Sequence, residues 1–409
     1  MRRIPAPGGG LKRKSTLILL ALLATVGGLF AYARYGALRI GDPVALLDTV
    51  IGRSSASPAA ALEQGQLTAA PGWTVTLYAS DLPTARWLAF TPNGDLLLAR
   101  SRVGAVDLLL RDANGDGKPD GRRELLKDLD RPHGLAVHDG WLYVAERTAV
   151  GRARYDSASG KLTGPYQHVI TGITGDGNHW TRTIGFGPDG RLYLSAGSTC
   201  NVCIEKDPRR ATMMVFDADG GNGRIYATGL RNSVGFDWAP WDGGLYATDN
   251  GRDLLGDDFP PDELNRVEDG AFYGWPYLNG DNVRDPDLGD RAPAELVAHA
   301  RPPVHGFRAH NAPLGIAFLR SPERPPGYER AAIVALHGSW NRSVPDGYKV
   351  VSLHWNPDGT IVERDFVTGF RNDDGLVGRP AGVAEGPDGA VYVADDYAGA
   401  IYRIVPAAR

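Results

Sequence analysis

IGFGPDGRLYLSAGS (184–198) and GVAEGPDGAVYVADD (382–396) are two copies of one unit. A small apolar segment leads into a Pro-Asp-Gly turn. A strand of alternating character comes next and ends on small or acidic residues. Asp-Gly between two such strands is the chemistry of a tight hairpin, because the turn needs a residue that accepts positive φ. Four more copies lie along the chain: LAFTPNGDLLLARS (88–101), GLAVHDGWLYVAER (134–147), VGFDWAPWDGGLYATDNG (234–251) and GIAFLRSPERPPGYERAAIVALHGS (315–339). Cores such as LYLSA, LYATD and VYVAD put aromatic and β-branched residues where half-buried strands favour them. Six hairpin-centred copies after residue 73 predict radial repetition, and so a six-bladed β-propeller of four-stranded blades. The spacing widens after the fourth copy, which predicts long insertions between copies four and six.

Composition agrees with an all-β chain. The 409 residues include 53 Gly and 29 Pro, about a fifth of the total and too many for long uninterrupted helices. Formal net charge is -4. Arg2, Arg3, Lys12, Arg13 and Lys14 crowd the N-terminus, so the remainder is more acidic still. A broad basic face for nucleic acid is therefore not expected.

Those five cations precede TLILLALLATVGGLFAYA (16–33), a run without charge and just long enough to cross hydrocarbon. The positive-inside rule keeps residues 1–15 in the cytoplasm and exports the chain beyond residue 33. The expected arrangement is a single-pass anchor on the periplasmic side of a bacterial inner membrane. Ala31-Tyr32-Ala33 offers the alternative of a cleaved signal peptide. Residues 34–72 read as a linker, small and polar from Ser54 to Gly72, and 73–409 as the propeller. Cys200 and Cys203, the two cysteines of the chain, are expected to form a disulfide after export.

Candidate chemistry clusters before the inner strands. GDGNHWTR places His179 just ahead of the third repeat, where an imidazole is suited to general-base work. GLRNSVG places Arg231 and Asn232 ahead of the fourth, and GRPAGV places Arg379 ahead of the sixth. HGSWNR adds His337 and Arg342 at the close of the fifth. Guanidinium groups converging on a channel would suit an anionic ligand, while salt bridges between blades are the bland alternative. The acidic loop TDNGRDLLGDDFPPDELNRV (248–267) offers carbonyls around Gly251 and Arg252 to a hard cation. DANGDGKPD (112–120) spaces Asp112, Asn114, Asp116 and Asp120 like a calcium loop, but Arg123 occupies the place of the bidentate acid.

Taken in order, NHWTRTIGFGPDGRLYL, GSTCNVC, GLRNSVG, TDNGRDLLGDDFPPDELN, YGWP, HNAPLG, HGSWNR and GRPAGVAEGPDG resemble the sorbosone dehydrogenase family. These are relatives of soluble glucose dehydrogenase that depend on pyrroloquinoline quinone (PQQ). The similarity runs from about residue 73 to 405. The resemblance implies a six-bladed propeller, PQQ and Ca2+ as cofactors, and His179 as general base. It implies that Arg231, Asn232 and Arg379 hold the quinone and that carbonyls near Gly251 and Arg252 hold calcium. The chain departs from the pattern at Ser198, which stands where an Asp pairs with the catalytic His. It departs again at His337, in place of a quinone-binding Lys, and at Ala381, in place of a second late Arg. Arg342 or Arg252 would have to compensate.

The expected activity is oxidation of a sugar or sugar-derived aldehyde, of sorbosone or aldose type, with electrons leaving to a respiratory quinone or cytochrome. A calcium-dependent propeller lactonase and a non-enzymatic sugar-binding propeller are the alternatives, because fold alone does not select a function.

Overall fold

The computed structural model describes residues 56–373 and 375–407, together with 32, 40–43 and 47. Six antiparallel sheets succeed one another along the chain. Blade 1 comprises Ala85–Phe90, Leu96–Arg100, Ala105–Leu110 and Gly121–Leu126. Blade 2 starts at Leu135–His138, blade 3 at Arg182–Phe186, blade 4 at Ser233–Trp238, blade 5 at Pro313–Phe318 and blade 6 at Pro380–Glu385. These first strands pack on one another from blade to blade and so form the inner wall of the ring. The expected six-bladed propeller is present.

The repeated motif has a physical explanation at both ends. In blades 1, 3 and 6 the turn closes with the same bonds: Gly94, Gly190 and Gly389 donate to the carbonyls of Thr91, Gly187 and Gly386, each with φ near 70–85°. The Asp of Pro-Asp-Gly then receives a tyrosine from the next strand. Tyr193 Oη donates to Asp189 at 3.1 Å and Tyr392 Oη to Asp388 at 3.0 Å. That explains why LY and VY recur after PDG. At the leading end, neighbouring inner strands approach too closely for a side chain. A Cβ at Gly134 or Gly315 would lie 2.6 Å from the backbone nitrogen of Ile184 or Val383, and one at Gly382 would lie 2.7 Å from the carbonyl of Arg86.

Strand registers align the blades. Leu88, Ile184, Phe236, Ile316 and Val383 pair with the middle of their second strands, and Leu135 with Val144, one residue past the middle of its own. Two residues earlier, Arg86, His133, Arg182, Val234, Leu314 and Ala381 therefore occupy one ring position. Second strands such as Leu96–Arg100 and Val391–Asp395 are buried throughout, and each buried Leu or Val adds about 1.5–3 kcal/mol.

Blade 6 takes its outer strand from the opposite end of the chain: Trp73–Ala79 pairs with Ala400–Pro406. The stretch 34–72, read as a linker, is not featureless. Pro58–Glu63 forms a short helix, and Thr68–Ala69 adds a fifth strand to blade 5. Leu67, 5% exposed, anchors it in the core. The large insertion lies within blade 4, between Asp262–Val267 and His305–Phe307, and carries the helix Ala294–His299. Among the described residues no helix is long and apolar enough to cross a membrane. The apolar run 16–33 lies, apart from Tyr32, outside them.

Candidate active site at the channel mouth

The loops between second and third strands rise on the face that also carries the segments leading into the inner strands. Between them they enclose a cavity of about 330 Å³, within the range of small-molecule sites. His179 and Trp180 lead into blade 3, Arg231 and Asn232 into blade 4, and His310 and Ala312 into blade 5. Cys200 and Asn201, Asn250 to Asp253 except Arg252, and Trp340 come from the loops.

His179 is oriented from beneath. Its Nδ1 lies 3.0 Å from the Ser198 carbonyl and 2.9 Å from Ser198 Oγ. The carbonyl can only accept, and the Ser198 hydroxyl donates to the Cys200 carbonyl at 2.6 Å. Nδ1 therefore carries the proton, and Nε2 is left as an unprotonated base with no partner among the described residues. Ser198 thus supplies the orienting contact where the resemblance led one to expect a carboxylate.

Two arginines that sequence reading missed hold this arrangement. Buried Arg182 donates to the carbonyls of His179, Thr181 and Thr174. Arg210 donates to those of His179, Ser198, Gly197, Thr174 and Asp176. Neither makes a salt bridge among the described residues; carbonyl dipoles carry their charge. Burial, then the charge of Arg210, pushes the Arg182 guanidinium down to about 9. Burial first, then the charge of Arg231, drives the His179 imidazole well below its ordinary 6.5. The imidazole is neutral at physiological pH and sits in a positive field.

Arg231 and Asn232 are both brought to the cavity, as expected. Arg231 is largely committed to protein: Nη2 to Asn201 Oδ1 and Asp253 Oδ2, each at 2.9 Å, Nη1 to the Asn250 carbonyl and Nε to the Asn201 carbonyl. The Asn232 amide makes no side-chain hydrogen bond to a described residue, and its Oδ1 is buried without a partner. Gly251 lines the cavity, with its amide tied to Asp262.

Four expected residues lie outside this cavity. Arg252 pairs with Asp285 and Asp287. Arg342 donates to the carbonyls of Asp257, Ala309 and Val344 and to Asp258 Oδ1. Arg379 donates to the carbonyls of His337 and Gly338. In each case nearby loop carbonyls or carboxylates engage the guanidinium, although Arg252 Nε is left without a partner, so these arginines brace the loops. His337 Nε2 contacts Asp396 Oδ1 at 2.9 Å, and burial, then Arg379, pushes its imidazole down to about 4. Asp396 also receives Arg86 at 2.5 Å. Burial alone would raise the Asp396 carboxyl, yet it is held well below the usual range. The contact with His337, then the charges of Arg86 and Arg379, hold it there. Arg86 and Trp180 line both this cavity and a neighbouring one of about 530 Å³.

The expected calcium loop at 112–120 sits on the outer hairpin of blade 1. Asp112 accepts from the amides of Gly115, Asp116 and Gly117, Asn114 from that of Asp116, Asp116 from that of Lys118, and Asp120 from that of Ala113. Their side chains close the turn upon itself and do not converge on a common point. Among the described residues, the one group with metal-ligand spacing is Cys200, Cys203 and Glu205. Its two sulfurs are joined in the expected disulfide.

A flat, tricarboxylate quinone is the group the resemblance implies. The cavity fits it in volume, in the indoles of Trp180 and Trp340 on its walls, in the guanidinium groups of Arg86 and Arg231 and in the orphaned Asn232 amide. A cation at Gly251 would draw on backbone oxygens, since no three acidic donors converge there among the described residues.

An uncharacterized protein of Borreliella burgdorferi is 36% identical over 218 residues, 52% of this chain and 57% of its own. A pyrroloquinoline quinone-dependent pyranose dehydrogenase of Coprinopsis cinerea is 26% identical over 421 residues, 85% of this chain and 56% of its own. The chain thus spans little more than half the length of these relatives. The solved holo PQQ domain of pyranose dehydrogenase from that fungus superposes with a TM-score of 0.70 at 23% identity, covering 83% of this chain and 96% of that one. The TrAA12-like family matches residues 67–276 and 290–407, which takes in every blade and the strand that closes the ring. On that match the chain belongs to the TrAA12-like family.

Proposed function

We propose that this protein is a PQQ-dependent dehydrogenase of a sugar or sugar-derived aldehyde, of aldose or sorbosone type. The observation that carries the reading is His179: a neutral imidazole with Nδ1 locked and Nε2 open, at a cavity with two indole walls and the guanidinium groups of Arg86 and Arg231 on its lining. His179 takes the proton of the substrate hydroxyl. Ser198, Arg182 and Arg210 keep its ring in place, and burial of the loops limits water. Arg231 and Asn232 orient the cofactor, with calcium against the Gly251 loop. When bound, the quinone supplies the two-electron acceptor, chemistry that no side chain here provides. The identity of the Coprinopsis relative supports the same cofactor. Export behind a membrane anchor at 16–33, on the periplasmic side, places the electrons within reach of a respiratory carrier.

The test is reconstitution of the purified protein with PQQ and Ca2+. A changed absorption spectrum and reduction of an artificial dye are expected with aldoses, pyranoses or an aldehyde sugar. Loaded protein that reduces no dye with any of them would be a binding module instead.

A further inference from the structure

We propose that Arg86 is the carboxylate-binding fork of the channel mouth. Arg86 was not among the residues singled out from the sequence. Arg182 and Arg252 also have an unpartnered Nε, but both their Nη atoms are bonded, whereas Arg86 is bonded through Nη1 alone. Nη1 is anchored by Asp396 at 2.5 Å and lies 3.3 Å from His337 Nε2. Nε is buried and has no partner, and no described residue bonds to Nη2. The unpartnered atoms form one edge of the guanidinium, the Nε–Nη2 edge, which a carboxylate engages with both oxygens. A buried donor without a partner is costly unless a ligand supplies the acceptor. The side chain is 11% exposed and lines the seam where the two cavities meet. Asp396 is the positioning residue: by holding Nη1 it fixes which edge faces the seam.

The ring position supports the assignment. Arg86 stands on blade 1 where Ala381 stands on blade 6, and the two inner strands touch at Gly382 and the Arg86 carbonyl. Ala381 is fully buried and apolar, so the neighbouring blade supplies the cation at that point. The ligand carboxylate is assigned to the cofactor; that part rests on the proposed function. A sugar acid has the same chemistry and is the other source.

The experiment titrates the full chain with two probes, PQQ and glucuronate, monitored by calorimetry and by quenching of tryptophan fluorescence. Arg86→Gln is expected to weaken PQQ binding about 10- to 100-fold. Arg86→Lys is expected to fall between it and wild type, since an ammonium keeps the charge and loses the edge. The double variant Arg86→Gln/Asp396→Asn removes the unbalanced buried carboxylate, and its thermal melt separates lost binding from lost folding. Weakening of glucuronate alone would keep Arg86 as the fork and move the carboxylate to the substrate. Wild type that binds glucuronate through Arg86 but never PQQ would sink the proposed function and leave Arg86 standing. Unchanged affinity for both probes in Arg86→Gln, or wild type that binds neither, overturns the proposal.

Discussion

His179 is held by a serine and two carbonyl-bound arginines, and this has a kinetic signature. A catalytic imidazole paired with a carboxylate gains protons readily; one in a buried positive field does not. With its ionisation driven well below 6.5 by burial and Arg231, the base stays unprotonated as pH falls through 6.5. The acid limb of kcat/KM should therefore lie well below pH 6.5, and a limb at or above that value would assign the proton to another group. His179→Ala should lower turnover by about 10²–10⁴-fold while leaving cofactor affinity near that of wild type. His179 was legible from its place just before an inner strand, as were Arg231 and Asn232. The other arginines were not, and the reason is chemical. A guanidinium offers five donors, and sequence does not say whether they end on carbonyls, as in Arg342 and Arg379, or face a ligand, as in Arg86. Aligning the repeats by their second strands would have raised Arg86 and Arg182, which share a ring position.

At the scale of elements, the loop from Gly197 to Ala211 couples a covalent staple to the base. Cys200 lines the cavity, and its carbonyl accepts the hydroxyl of Ser198, which in turn contacts His179. Glu205 holds the same turn through the amide and hydroxyl of Thr199. The cross-link joins residues three apart, so it closes too small a ring to restrict the unfolded chain greatly. Reduction, or Cys200→Ser/Cys203→Ser, should therefore change KM and kcat while shifting Tm by only a few degrees. A large drop in Tm with unchanged kinetics would make the staple a stability device. The hairpins were legible because Pro-Asp-Gly turns and alternating strands are local. The wide spacing put an insertion between the fourth and fifth copies, where it lies, but did not show that it interrupts blade 4 between its third and fourth strands. A Pro- and Gly-rich stretch carries no periodicity that says which strands it separates. The helix Pro58–Glu63 was missed because six residues hold too few turns to show a pattern.

For the whole molecule the decisive feature is how the ring closes. Blade 6 draws three strands from the end of the chain and its outer strand from Trp73–Ala79, in register from Trp73 opposite Pro406 to Leu77 opposite Tyr402, with a shift before Ala79 opposite Ile401. Trp73 also packs edge-on against Tyr328 and Phe366 of blade 5, so the closing strand ties two blades. Ile401, Tyr402 and Ile404 are fully buried. A chain ending at Gly399 loses those side chains and leaves the closing strand without a partner. An open ring also exposes the flanks of two blades and the edges that the closure had covered. The segment before Gly72 contributes differently. It adds a two-residue fifth strand to blade 5, buries Leu67, and lines the larger cavity with Ala56 to Ala59, but no blade depends on it for its four strands. Two truncations should therefore separate. Removal of the residues before Pro71 should leave a cooperative melt with a Tm lowered by several degrees, in line with the loss of one buried Leu at about 2–5 kcal/mol. Removal of the residues after Gly399 should abolish the cooperative transition and leave a chain that binds a hydrophobic dye. Circular dichroism melts of both, read against the full chain, decide the matter. A cooperative transition in the second truncation would mean that five blades hold the ring without the sixth.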